Sequence, residues 1–333
     1  YKEDKVIIPA IYSFLQQDYP RELYDIIVIS DQMQESTNEA LRQLPVRLLI
    51  ADYTDSSKAK AMSLAMNATA DIPYDAVVIM DADNTAGTSF LSELNPVFQS
   101  GARAVQAHRT AKNTNTDIAV LDAASEEINN SIFRSGHIAL GLSSALIGSG
   151  MALEACWFRQ HIHLLETAGE DKEMEALLLK QRIHIEYLEH VYVKDEKTQK
   201  KEGIKNQRKR WIAAQFDSLV RTLPDFPKEL LRGNIDYCDK VFQWTLLPRI
   251  ILIFCTFFFT ILVTLVSPYS SIKWWILAFA LFLALFTAIP GHLLNKQLLR
   301  AIFQLPSLLL GIASNLFKLK GVNKKFIHTE HGN

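Results

Sequence analysis

From Trp244 onward the chain carries long stretches with hardly any charge, and this restricts its fold more than any other feature. Residues 244–266 and 274–294 are each long enough to cross about 30 Å of bilayer hydrocarbon as a helix. A backbone in hydrocarbon must satisfy its own hydrogen bonds, so such stretches predict two transmembrane helices. Arg249, early in the first, can snorkel to the cytoplasmic interface, while Trp274 and Trp275 suit the opposite one. Lys296 and Arg300 follow the second and favour a return to the starting side. A third apolar stretch, 298–319, contains Pro306 and Gly311 and ends in Lys318, Lys320, Lys324 and Lys325. Crossing would place those lysines outside, which favours an interfacial or re-entrant helix over a third span. The expected division is therefore a domain over 1–240, a membrane region over 241–325 and a tail over 326–333.

Before residue 240 the composition is that of an ordinary soluble protein, and 333 residues allow about two domains. A net charge of −1 gives no general positive field, so a nucleic-acid partner is not expected. Cys156, Cys238 and Cys255 are scattered, odd in number and without metal-ligand spacing, which suits a reducing compartment and assigns them no role.

Patterning predicts strands at 25–30, 46–51, 76–80 and 102–107, and helices at 35–43, 57–68 and 117–134. Continuous apolar runs between helices indicate an α/β domain whose mostly parallel sheet is covered on both faces, with ligands beyond the carboxyl ends of the strands. Asp31 and Asp81 occupy such ends. Tyr1-Lys2-Glu3-Asp4 opens directly into a helical pattern with no strand before it, so the expectation is a sheet whose first strand is missing.

Three clusters follow in order. Asp81-Ala82-Asp83 supplies hard carboxylate oxygens of the kind a divalent cation accepts beside a charged leaving group, although two acids also make an ordinary turn. Glu170-Asp171 opens a helix with Met174, Leu177 and Leu178 inward; acids there favour the helix dipole, and a carboxylate at a helix start also suits a general base. In Gln207-Arg208-Lys209-Arg210-Trp211, Arg208 and Trp211 share one helical side, combining an anion contact with a stacking platform; the plainer reading is a solvated basic face. His161 and His163 lack nearby ligands in metal spacing and read as helix surface.

Taken together with Gln17-Asp18-Tyr19-Pro20, Val105-Gln106, Gly148-Ser149-Gly150-Met151 and Gly169, these clusters make the chain resemble family 2 glycosyltransferases of the membrane-bound type related to cellulose and hyaluronan synthases. The resemblance implies a GT-A fold and metal-dependent (Mg or Mn), inverting transfer from a nucleotide-diphosphate sugar to a lipid-linked or polysaccharide acceptor. It also implies an inner-membrane, multi-pass protein with its catalytic domain in the cytoplasm and membrane lipid as a partner. Asp171 would match the catalytic base, Asp83 the metal ligand with Asp81, and Asp31, Lys58, Asp81, Arg208 and Arg210 the donor side. Gly150, Glu170, Gln207 and Trp211 would face the acceptor. After Lys58, Ala59 stands in place of a glycine and Ser63 in place of an asparagine; two further departures are Ala168-Gly169 where a threonine usually precedes Glu170, and the missing first strand. The rival expectations are a membrane-anchored binding or scaffold protein without turnover, and a nucleotidyltransferase, which would leave Gln207 to Trp211 without a purpose.

Overall fold

The computed structural model describes residues 1–199, 201–306, 309 and 311. Helix α1 (Ile7–Leu15) is followed by strand β1 (Ile27–Asp31), α2 (Glu35–Arg42) and β2 (Arg47–Ala51). The strands pair in parallel from Ile27 opposite Arg47 to Asp31 opposite Ala51, as a helical crossover requires. Ile7 and Ile11 of α1 pack with Val28 and Leu41 to bury one side of this unit. Helix α3 (Lys58–Ala68) starts where the Ser57 hydroxyl accepts a hydrogen bond from the Lys60 amide.

Strand β3 (Ala76–Ile79), β4 (Thr85–Ala86), α4 (Phe90–Gln99) and β5 (Ala104–Ala111) come next. Helix α5 (Asp117–Asn130), capped by Thr116, runs through one π-helical turn (Ser131–Ser135) into α6 (Gly136–Ala139). After it come β6 (Met151–Glu154), α7 (Ala155–His161), α8 (Glu170–Lys180) and β7 (Ile185–Asp195). The second sheet has the order β3-β6-β5-β7-β4.

The α/β expectation is met, and the sheet is mixed. Parallel pairing holds for β1/β2 and β5/β7, whereas β6 runs antiparallel to β3 and β5, and β4 antiparallel to β7. The reversal has a consequence for the site. Because β6 opposes both neighbours, Met151 lies beside Ile79 and Gln106, and the loop 148–150 arrives at the carboxyl end of β3 and beside the middle of β5. β1 pairs only with β2 and β3 only with β6 among the described residues, and both strands line one cavity between the sheets.

The main core packs Met62, Met151, Leu153, Phe158, Met174, Leu178, Ile185, Tyr237 and Val241 together. Val241 belongs to α11 (Ile235–Thr245), reached through α9 (Lys201–Thr222) and α10 (Phe226–Leu231). Pro248 then sets an extended turn before α12 (Arg249–Val266), so the first apolar helix starts at Arg249 and not at Trp244. Helix α13 (Pro268–Thr287) begins earlier than expected because Pro268 suits a first helical turn and Ser267 accepts from the Ser270 amide; Lys273 is thereby helical. These two helices are long and apolar enough to cross a membrane, with mean hydropathies of 2.5 and 1.7 and 6% and 11% of the apolar windows buried. They pair through buried Thr260 and Ala278, and Trp275 Nε1 donates to Thr264 Oγ1 at 3.0 Å. Of the third expected segment, α14 (Lys296–Ile302) is seen; most of the remainder, and the tail with Lys318, Lys320, Lys324 and Lys325, lies outside the described residues.

Candidate active site

The site begins with Gly148, whose φ of +81° is a left-handed conformation that favours glycine. A Cβ there would sit 3.7 Å from Lys58 Nζ, 3.8 Å from Glu170 Oε1 and 3.9 Å from Asp171 Cβ. Three elements therefore converge on one backbone point: the start of α3, the start of α8 and the loop before β6. Lys58 Nζ donates to Asp81 Oδ1 and to the Gly148 carbonyl at 2.6 Å, and lies 3.8 Å from Glu170 Oε1. Burial by itself would lower the Lys58 ammonium, but Asp81, Glu170 and Asp171 outweigh it and hold the group above the usual lysine range. Burial pushes the Glu170 carboxyl up to about 7; Lys58 opposes this, and Asp171 reinforces it.

The loop is held by Gln106, which is fully buried. Its Nε2 donates to the carbonyls of Ser149 at 2.9 Å and Gly150 at 3.2 Å, and its Oε1 accepts from the Ile147 amide at 3.0 Å. Gly150, expected on the acceptor side, does not line the cavity. Its φ is +62°, and a Cβ would come within 3.1 Å of Val193 on β7, so here it fixes the loop against the sheet.

Asp83 is buried, and its Oδ2 accepts from the Glu196 amide at 3.1 Å. Asn84 Nδ2 bridges Asp83 Oδ1 at 3.4 Å and Asp195 Oδ1 at 3.3 Å. Asp31, at the end of β1, is buried and accepts from Ser56 Oγ at 2.9 Å. Gly169 is the N-cap of α8 without a side-chain hydrogen bond, as the missing threonine implied. A Cβ at Gly169 would lie 2.8 Å from that of Ala214 on α9, which explains the small residue: α8 and α9 touch there.

On α9 the two arginines separate. Arg208 donates to Asp122 at 2.9 Å and Ser125 Oγ at 3.0 Å on α5, with its guanidinium 4.8 Å from the Trp211 ring centroid. Burial lowers the Arg210 guanidinium, an effect partly offset by Glu170, so Arg210 is the arginine whose field reaches the acidic cluster. Gln207 Oε1 is enclosed without a hydrogen-bond partner among the described residues.

Asp31, Lys58, Asp81, Asp83, Glu170, Asp171, Gln207, Arg208, Arg210 and Trp211 line one cavity of about 2290 Å³. The oxygen donors of Asp81 and Asp83 suit Mg²⁺ or Mn²⁺, which take one or two carboxylates and complete their shell with phosphate and water. Among the described residues no group of three His, Cys, Asp or Glu could hold a metal ion. His161 stacks on Trp157 at 4.5 Å and holds α7 against Gln181.

Behind the cluster lies a network that sequence reasoning missed. Arg109 meets Glu126 at 2.9 Å, Lys197 meets Asp195 at 2.8 Å, and Arg134 lies 3.5 Å from Glu126. Burial alone would raise Glu126 and Asp195, but the surrounding cations keep both below the ordinary carboxylate range. The alternation of Val191 and Val193 with Tyr192 was a usable signal for β7; nothing local marks Arg109, Arg134 or Lys197 as buried.

Residues 1–214 match the model of the family described as Glycosyltransferase like family 2, and the chain belongs to that family. Among solved structures it is similar to S. aureus TarS 1-349 in complex with UDP-GlcNAc, at 12% identity and TM-score 0.47, covering 97% of this chain and 88% of that one. With the same protein in complex with UDP, the likeness covers 67% of this chain and 63% of that one, at 12% identity and TM-score 0.45. It is also similar to glucosyl-3-phosphoglycerate synthase from Mycobacterium tuberculosis, in complex with Mn²⁺, UDP-glucose and phosphoglyceric acid, at 16% identity and TM-score 0.43, covering 65% and 76%. No curated protein matches the chain.

Proposed function

We propose that the protein transfers a hexose-type sugar, with inversion, from a nucleotide-diphosphate sugar to a lipid-linked or polysaccharide acceptor at the cytoplasmic face of a membrane. The convergence of Lys58, Asp81, Glu170 and Asp171 on Gly148 carries this reading. Asp31 takes the nucleoside. Asp81 and Asp83 would hold the cation, which neutralises charge on the leaving diphosphate. Arg210 faces the diphosphate from the other wall of the cavity, and Lys58 holds the acids in place between them.

Asp171 sits at the start of α8 with its Oδ1 fixed by the Lys172 amide at 2.9 Å and its Oδ2, the oxygen that would take the substrate proton, 3.8 Å from Lys172 Nζ. It removes the proton of the acceptor hydroxyl as that oxygen bonds to the anomeric carbon and the bond to the diphosphate oxygen breaks. Trp211 offers the acceptor sugar a flat apolar face, and the unpartnered Gln207 Oε1 accepts from its hydroxyls. The cavity continues to α12 and α13, so an acceptor can be presented from the apolar side.

The experiment is a panel of nucleotide sugars, scored first by manganese-dependent protection of the full chain against heat and then by transfer. Asp171→Asn is expected to retain donor protection and to lose transfer by about 10²- to 10⁴-fold, the range of general-base catalysis. Normal transfer by this variant would show the base to be wrongly assigned, and protection without transfer to any acceptor would favour a binding protein.

A further inference from the structure

Asp122, Ser125, Glu126 and Asn129 follow one another at i, i+3, i+4 and i+7 on α5 and form one face. Arg208 comes to that face from α9, and Arg249 comes to it from the first turn of α12. Arg249 Nη2 donates to Asn129 Oδ1 at 2.7 Å and lies 3.3 Å from the Ser125 carbonyl and 3.4 Å from its hydroxyl. Arg208 Nη2 donates to the same hydroxyl at 3.0 Å. Two guanidinium groups thus meet over one serine, and Arg249 has no ion pair among the described residues.

Asp122 is taken by Arg208, and Glu126 and Asp195 are shared among Arg109, Arg134 and Lys197. Arg249 Nη1 is enclosed with no hydrogen-bond partner among the described residues. An enclosed cationic donor without a partner is costly, and at the head of an apolar helix such a group marks a binding function. Of the two guanidinium groups over Ser125, Arg208 holds a carboxylate and Arg249 holds none among the described residues, an arrangement that suits an added anion such as a phosphate monoester, which carries roughly −1.5 to −2 at neutral pH. Guanidinium forks also suit phosphate oxygens.

The surroundings select an amphiphile. Leu252, Ile253 and Phe257 follow Arg249 at three, four and eight residues, on its own side of α12, and all line the cavity. Phe282, Leu285 and Phe286 of α13 line the same cavity. An apolar stripe therefore starts directly beneath the cationic pair.

We propose that Arg208 and Arg249 bind the phosphate of a lipid-borne acceptor whose hydrocarbon lies along this stripe, with Trp211 between the phosphate and the transfer centre. The role of acceptor rests on the transferase reading; the binding does not. The test uses the full chain in detergent micelles and a photoreactive polyisoprenyl phosphate, with the matching polyisoprenol, phosphatidylglycerol and inorganic pyrophosphate as competitors. The phosphorylated probe should bind about tenfold or more tightly than the alcohol, a factor that a single charge-assisted hydrogen bond can supply. It should label peptides containing Asn129 or Arg249, and Arg249→Gln should abolish the preference while Arg249→Lys keeps part of it. Labelling of the unaltered protein is informative even if Arg249→Gln does not fold. Equal binding of phosphate and alcohol, displacement by pyrophosphate at the concentration that displaces from the donor site, or equal competition by phosphatidylglycerol would each overturn the proposal. Donor protection is measured in parallel on the unaltered protein. Its absence would sink the transferase reading and leave the lipid-phosphate site standing, whereas donor protection without phosphate preference would sink the site alone.

Discussion

Glu170→Gln provides the sharpest test of the acidic cluster. Glu170 is buried beside Lys58 and Asp171, and burial raises its carboxyl from 4.5 to about 7. A difference of that size between unfolded and folded chains corresponds to about 3 kcal/mol favouring the neutral form in the fold. The sign follows from the upward direction. The stabilisation is fully present below the unfolded value of 4.5 and is lost as pH rises through about 7, because the folded protein must then ionise a buried group. Glutamine keeps the shape and cannot ionise. The variant should match the parent below about pH 4.5 and exceed it by about 3 kcal/mol near pH 8.5, with the gap opening between about pH 4.5 and 7. For a cooperative unit of about 240 residues each kcal/mol moves the melting temperature by about 2 °C, so the gap should reach about 6 °C. Thermal unfolding of the full chain in micelles, followed by tryptophan fluorescence across this pH range, reads it directly. A difference between the two proteins that stays constant with pH would refute the claim that Glu170 is held partly protonated.

Other perturbations probe the scaffold. Lys240 on α11 and Glu175 on α8 form a buried pair at 2.8 Å, each side chain 3% exposed; Lys240→Met should cost about 3–5 kcal/mol in denaturant unfolding by stranding the carboxylate. Gln106→Leu leaves the Ile147 amide and the Ser149 carbonyl without this partner, and should lose about 1–3 kcal/mol and loosen the loop at Gly148, seen as faster hydrogen exchange at 147–150. Gly169→Ala drives a methyl into Ala214 and should cost about 1–3 kcal/mol, with the weaker donor protection expected if α9 shifts; an unchanged melting temperature would show that the helices separate freely.

The α/β pattern was legible because its strands and helices are short and sharply bounded: β1, β2, β3, α2 and α3 fall within two residues of their sequence-based limits. The order of Asp81-Ala82-Asp83, Glu170-Asp171 and Gln207 to Trp211 also anticipated one cavity. The direction of β6 was not legible, since four residues, Met151–Glu154, carry no trace of which way they cross a sheet. Periodicity placed Arg208 and Trp211 on one side of α9 correctly, yet it said nothing about what that side faces, and the partner proved to be α5. Arg109, Arg134 and Lys197 were invisible for a related reason: charged residues are presumed solvated until their counter-ions are located, and Glu126 and Asp195 come from distant parts of the chain. The two apolar helices are offset from their expected limits because Pro248 and Pro268 dictate where helices start, whereas hydropathy alone records only where charge is absent.

Among the described residues the outer margins of β1 and β3 have no partner strand, which makes this side of the cavity a mould for extended polypeptide. Each margin offers a row of amide and carbonyl groups, and open margins of this kind invite pairing with whatever strand reaches them first. At high concentration that strand would come from a neighbouring molecule, so self-association would compete with nucleotide entry. A short apolar β-forming peptide should then act as a solubiliser, closing the seam between the two sheets from outside.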